Sequence, residues 1–322
     1  MLKPPEDLDT AALAAALTRE WGIAVASMTY RAVGFGSHHW SVVDSAGTSW
    51  FATVDDLRRK RYSERDTDDW AYERLRCALD AARGLHDAGA AFVVAPLTTA
   101  GDLPVARLGA HYAVTLYPLV TGDSFGFGEY DGDGHRRAVL DMVVGVHGAP
   151  PEVRDRAAVD DQTVWHRDAL EAAIDGVPAG DCGPYAQRAA DLFAEHADRV
   201  REVLARYDDL AAGVEPDRAV LTHGEPHSGN TMRTPHGWRL IDWETALVSQ
   251  PERDLWILGG PMQQAYAEAT GVTLRPDLLA MYELRWDIVD LALEADRFRR
   301  PHTGSPDDEQ SWSVLRRVMS SI

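Results

Sequence analysis

The sequence predicts an α+β, bilobal protein: a small antiparallel-sheet N-lobe over residues 1–118 and a larger, mainly helical C-lobe over residues 119–322. Three observations lead there. Alternating β-rich segments separated by turn residues crowd the first third. Helical periodicity dominates after Gly122. The polar residues that carry chemistry gather on one short β-rich island at 219–241. A sheet layer followed by a helical one, with the reactive groups at a fixed place in between, is α+β architecture.

Taken in order, residues 9–21 place Leu13, Leu17 and Trp21 at helical spacing, with Asp9 or Thr10 as N-cap. Strand patterns follow at 28–31, 40–44 and 49–54, divided by turns at 34–37 and 45–48. A charged linker over 55–69 leads to a helix at 70–88, then to strand-like runs at 92–96 and 111–118. Helices are expected at 136–147, 164–174, 185–210 and 276–298, and the Gly/Asp-rich stretch 126–134 reads as a loop.

The bulk properties narrow the function. A net charge of −19 removes the basic face that general nucleic-acid binding needs, and it attracts cationic small molecules. No apolar run is long enough to span a bilayer and no signal peptide is evident, so no membrane partner and a cytoplasmic location are expected. Cys77 and Cys182 are far apart and read as reduced structural thiols. Lysine occurs at positions 3 and 60 alone, which leaves a phosphate-binding lysine few places to be.

The island runs from Val220 through His223, Gly224, Glu225, Pro226, His227, Ser228, Gly229 and Asn230, and continues to Ile241, Asp242 and Trp243. Phosphoryl transfer needs a carboxylate beside the acceptor hydroxyl and hard oxygen ligands for Mg²⁺. Glu225, Asn230 and Asp242 supply those groups. Each alone is ordinary; their order and tight spacing make the signal.

This segment resembles the H-G-D-x-x-x-x-N loop of aminoglycoside phosphotransferases, choline kinases and related small-molecule kinases, and Ile241-Asp242-Trp243 resembles their I-D-[FW] metal motif. The resemblance implies a protein-kinase-like fold, with Glu225 as catalytic base and Asn230 and Asp242 as Mg²⁺ ligands. It also implies that His223 and His227 brace the loop, and that Asp254, in a P-x-x-D-L element, buttresses it. By position, Gly34, Gly36, Ser37 and His38 match the phosphate-covering loop, although hairpin turns use the same residues. Pro118 and Val120 match the hinge that would bind the base of ATP or GTP.

Two departures stand out. The usual base is Asp, and position 225 is Glu, one methylene longer. The third strand usually carries a lysine, and Thr53 or a neighbour stands there instead. Arg58, Arg59, Lys60 or Arg61 could supply the missing charge, as could His38 or His39; Glu73 fits the ion-pair glutamate only loosely.

On the 276–298 helix, Tyr282, Trp286, Val289 and Leu293 form the expected core row, and Glu283, Asp287, Asp290 and Glu294 an acidic row beside it. That row suits a cationic acceptor, or a solvated face. The expected activity is an O-phosphotransferase moving a nucleotide γ-phosphate to a hydroxyl of a small cationic molecule, an aminoglycoside-type antibiotic foremost. A resistance or self-protection role follows, in a monomer or homodimer. The alternatives are a metabolic kinase for an amino alcohol or sugar, and a nucleotide-binding pseudokinase without turnover.

Overall fold

Alternation of buried and half-buried residues is clearest in β2, His38–Asp44, and it sets the two faces of the N-terminal sheet. In the computed structural model, which describes residues 1–34 and 36–322, helix α1 (Thr10–Trp21) is followed by β1 (Val25–Arg31), β2 (His38–Asp44) and β3 (Ser49–Asp56), then by α2 (Asp68–Asp87), β4 (Ala106–Leu108) and β5 (Tyr112–Pro118). Phe35, inside the expected phosphate-covering turn, lies outside the described residues. The strands form one antiparallel sheet in the order β1-β2-β3-β5-β4.

One face of this sheet is apolar. Trp40, Val42, Ala52, Val54, Val114 and Leu116 pack on Leu13 and Leu17 of α1. Both leucines are fully buried, so truncating either to Ala should cost about 2–5 kcal/mol. Asp9 caps α1 by accepting from the Ala11 amide, and Thr67 caps α2 through the Trp70 amide. The opposite face follows from the register: His39 pairs with Thr53 and Thr53 with Thr115, Ser41 with Phe51 and Phe51 with Tyr117, and Asp55 stands one step further along β3. A two-residue period therefore gives the sheet one apolar side and one polar side.

The rest of the chain is mainly helical, as expected. In order it contains β6 (Asp123–Ser124), α3 (Gly132–His147), α4 (Pro151–Arg154), α5 (Arg167–Ile174), α6 (Ala186–Ala211), β7 (Val220–Thr222), β8 (Thr231–Thr234), β9 (Gly237–Leu240), β10 (Leu247–Ser249), α7 (Glu252–Leu255), α8 (Gly260–Thr270), α9 (Pro276–Phe298) and α10 (Pro306–Ser321). Two small sheets, β10-β7 and β6-β8-β9, carry the island.

The chain divides into two compact units. The first comprises residues 1–60, 67–160 and 215–274, and the second residues 61–66, 161–214 and 275–322. The boundary expected at 118/119 falls within the first of these. There α3 packs on β7 and α8, and the 92–96 run forms a bridge from Val93 to Leu240 instead of a strand of the N-terminal sheet. In the second unit α9 packs against α5, α6 and α10.

Three neighbours change which side of α9 is core. Tyr282 of the expected row is buried together with Leu278, Met281, Ile288, Leu291, Ala292, Ala295 and Phe298, while Trp286, Val289 and Leu293 are only partly so. The acidic row is graded along the same helix. Glu283 is exposed, Asp287 and Asp290 are half-buried, and Glu294 is buried, with Asp290 3.6 Å from Arg317 of α10.

Candidate active site

Strand β7 delivers the chain into a loop whose backbone is held by side chains. The Gly224 amide donates to Oδ1 of Asp254 at 2.6 Å, and the His223 amide to Oδ2 at 2.8 Å. Asp254 comes from α7 and is fully buried. Burial alone would raise its carboxyl, but His147 and the charges of Arg253 and His223 hold it below the usual carboxylate range. His147 of α3 lies 3.1 Å from Asp254 Oδ2 through Nε2, and its Nδ1 is 2.8 Å from the Tyr266 hydroxyl.

Gly224 is required where it stands. Its φ is +98°, and a Cβ there would meet Nη2 of Arg253 at 2.4 Å. That arginine donates to the Thr222 hydroxyl and the Thr245 carbonyl, both at 2.8 Å, so it is not free to withdraw. His223 completes the brace, with Nε2 3.0 Å from the Ile241 carbonyl and its ring edge-on to Trp243. Burial keeps this imidazole neutral, down at about 4.

Glu225 follows directly. Its carbonyl accepts from the His227 amide at 2.8 Å and from Nδ2 of Asn230 at 2.9 Å. Its side chain remains about one-third exposed, with Oε2 3.8 Å from Nε2 of His227. Burial would raise the carboxyl; His227, His223 and Arg253 together outweigh that and lower it. The result is an ionised carboxylate at an accessible point of a rigid loop.

Asn230 ends a single 3-10 turn, Ser228–Asn230, and its carbonyl accepts from the Ile241 amide at 2.9 Å. The Ile241–Trp243 segment is thereby tied to the loop. With Nδ2 spent on Glu225, the amide oxygen is the Asn230 atom suited to a cation. Asp242 has φ +66°, an uncommon backbone state for a residue with a side chain. Burial and the charges of Glu225 and Asp55 push its carboxyl up to about 6, against the pull of Lys60. A bound dication would relieve that repulsion.

Among the described residues no cluster of three or more His, Cys, Asp or Glu is placed to hold a metal. One carboxylate with one amide oxygen nevertheless fits Mg²⁺, which keeps several waters and takes phosphate oxygens for its remaining positions.

Above these groups in the sequence, residues 57–60 fold back after β3. Nζ of Lys60 lies 2.5 Å from Oε1 of Glu244, 3.3 Å from Oδ1 of Asp55 and 3.3 Å from the Ser37 hydroxyl. Ser37 in turn donates to Asp55 at 2.6 Å. Burial opposes the ammonium charge, but Glu244, Asp55 and Asp242 hold it above its ordinary value. Tyr117 registers the same acidic surroundings: burial and the charges of Asp242, Asp55 and Glu244 drive its hydroxyl well up.

A model described as the APH phosphotransferase enzyme family matches residues 31–293. The chain belongs to this phosphotransferase family. Protein StrN of Streptomyces griseus is 32% identical to it over 253 residues, covering 73% of this chain and 74% of that protein. Among solved structures, a spectinomycin phosphotransferase, APH(9)-Ia, in complex with ADP and spectinomycin, superposes with a TM-score of 0.72 at 16% identity, covering 98% of each chain. The GDP and kanamycin complex of APH(2")-IIia gives a TM-score of 0.60 at 15% identity, covering 97% of this chain and 99% of that one. These two likenesses are of fold, and they match the kinase-like architecture the motifs imply.

Within this phosphotransferase the structure brings together Glu225, Asn230, Asp242, His223, His227 and Asp254. Ser37 and Gly36 lie beside Lys60: a Cβ on Gly36 would stand 3.9 Å from Nζ. Gly34 lies against His39, where a Cβ would meet the ring at 3.0 Å. His38 is elsewhere. It points to the apolar side of the sheet, buried, with Nδ1 3.1 Å from the Tyr30 hydroxyl. Its neighbour His39 shares the polar side with Thr53 at 3.2 Å and stacks on Phe51. Pro118 is exposed and Val120 half-buried at the exit from β5. Glu73 pairs with Arg76 on its own helix at 2.5 Å. Glu283, Asp287 and Asp290 belong to the second unit. Sequence reasoning missed His147, Asp55 and Glu244. Only Glu244 had a signal, its place two residues after Asp242.

Among the described residues, no helix is long and apolar enough to cross a membrane.

Proposed function

We propose that this chain is a nucleotide-dependent O-phosphotransferase, moving the γ-phosphate of ATP or GTP to a hydroxyl of a small cationic molecule, with aminoglycoside-type antibiotics as the foremost class. The observation that carries the reading is the ionised Glu225 on a loop whose amides are fixed by Asp254 and whose far end, Asn230, is joined to the Asp242 segment. Glu225 orients the acceptor hydroxyl by accepting its hydrogen bond. The acceptor oxygen forms the new P–O bond as the bond from the γ-phosphorus to the β–γ bridging oxygen breaks. The nucleoside diphosphate leaves with the bridging oxygen, and the hydroxyl proton passes to Glu225.

A carboxylate kept below its usual pKa is a weak ground-state base, so the proton moves late, as a loose phosphoryl-transfer transition state allows. Asn230 and Asp242 would hold Mg²⁺, which when bound neutralises charge on the β- and γ-phosphates. The carbonyl contact from Asn230 Nδ2 to Glu225 keeps base and metal ligand in a fixed relation.

The cationic acceptor is supported by the net charge of −19 and by the α9 row, in which Glu283 and Asp287 repel one another and raise the latter's carboxyl beyond what burial does. The ligands of the two solved relatives, spectinomycin and kanamycin beside nucleoside diphosphates, belong to the proposed classes. Transfer of labelled γ-phosphate to a panel of aminoglycosides, amino alcohols and sugars tests the reading. Preferential labelling of the aminoglycosides is expected; labelling of amino alcohols or neutral sugars alone would assign a metabolic kinase instead.

A further inference from the structure

The strand position that should present a phosphate-binding cation is occupied by Thr53, whose hydroxyl faces His39. The α2 glutamate that could have paired with such a cation, Glu73, is taken by Arg76. Arg58 and Arg59 turn to Asp56, at 2.8 and 3.8 Å. Lys60 alone of the three points its charge into the polar group around Asp55 and Glu244.

We propose that Lys60 is the cation that binds the polyphosphate of the donor nucleotide, relocated from the strand to the turn after it, and that Glu244 and Asp55 are its positioning residues. The chemical class is a nucleoside di- or triphosphate. An ammonium has three donors, and here they meet Glu244, Asp55 and the Ser37 hydroxyl. Its side chain is 17% exposed, so the stem is packed and the charge cannot drift into solvent.

Three features aim it at phosphate. The Gly36–Ser37 backbone lies near Nζ, a Cβ on Gly36 standing 3.9 Å from it, and backbone amides of a glycine-containing bend can add hydrogen bonds to the same anion. Its counter-ion Glu244 is two residues from Asp242, so the ammonium and the metal-binding carboxylate are held by one short segment. Oxygen acceptors already surround Nζ, and phosphate oxygens can replace a carboxylate oxygen without leaving the ammonium bare. This assignment rests on the transferase reading for its catalytic meaning, but binding tests it separately.

The full chain is titrated with Mg²⁺–ATP and, separately, with adenosine, as wild type and as Lys60→Met, Lys60→Arg and Lys3→Met. Lys60→Met should weaken ATP by about 10- to 100-fold and leave adenosine within about twofold, the loss of one charge-assisted contact. Lys60→Arg should recover part of the ATP affinity, and Lys3→Met should match wild type. Glu244→Gln should lower kcat more than it raises the KM for ATP, because the cation remains but loses its anchor. Unchanged ATP affinity in Lys60→Met overturns the proposal, as does an equal loss of ATP and adenosine. Lack of transfer by wild type together with the ATP-selective loss overturns the transferase reading and leaves Lys60 as the phosphate cation.

Discussion

One carboxylate fixes two consecutive amides: Asp254 accepts from His223 at 2.8 Å and from Gly224 at 2.6 Å, immediately before Glu225. An Asn at 254 could accept through one oxygen only and would set an NH₂ against an N–H. Asp254→Asn should therefore lower the unfolding free energy by about 2–3 kcal/mol, as for buried charged hydrogen bonds. It should also reduce kcat by at least tenfold while leaving the KM for nucleotide nearly unchanged. Denaturant unfolding and steady-state kinetics check both effects.

Gly224 gives a second, sharper test of the same loop. At φ +98° with Arg253 Nη2 2.4 Å from any added Cβ, Gly224→Ala must move either the arginine or the loop. The expected outcome is a loss of activity larger than that of Asp254→Asn. Activity near wild type would mean that the loop tolerates displacement and that its rigidity is not functional.

How much of this was legible beforehand depends on whether a residue acts through its neighbours in sequence or in space. The loop, the Ile241–Trp243 segment and Asp254 stand out in the sequence because their spacing is local, and the fold brings them together. The α9 helix spans the expected residues, but of its expected core row only Tyr282 is fully buried, because a helix with three packing partners buries more than one stripe. The histidine pair shows how fine the limit is. Residues 38 and 39 differ by one step in a strand, and one step exchanges the apolar face for the polar one. Lys60 was one of four neighbouring cations, and only the fold distinguishes it from Arg58 and Arg59. His147 lies more than 70 residues before the loop it supports and carried no local signal.

Glu294 makes stability depend on pH. Burial first, then the charges of Asp290 and Asp308, raise its carboxyl from 4.5 to about 7, against Arg297 and Ser311. An acid whose folded pKa is raised contributes its full stability below the unfolded pKa and loses it as pH rises through the folded one. Stability should thus fall between about pH 4.5 and 7, by about 3 kcal/mol, and level off above. Glu294→Gln should be more stable than wild type at pH 8 and no more stable at pH 4. An equal gain at both would remove Glu294 as the source.

The exposed end of the acidic row carries the acceptor prediction. Glu283→Gln with Asp287→Asn should raise the KM for a polyamine-like acceptor by about tenfold, consistent with the loss of two partly solvated ion pairs, with the nucleotide KM unchanged. Equal acceptor KM would return the row to a purely solvated role.

In the proposed reaction Glu225, as base, and Asp242, as metal ligand, act on one phosphate as a unit. Labelled γ-phosphate transfer should be measured at saturating nucleotide across hydroxylated amines, for wild type, Glu225→Gln and Asp242→Ala. Wild type should label at least one acceptor, Glu225→Gln should slow transfer by about 10²–10⁴-fold, and Asp242→Ala should slow it at least as much. Transfer at the wild-type rate in either variant, or tight nucleotide binding by wild type with no acceptor labelled, would contradict these roles for Glu225 and Asp242.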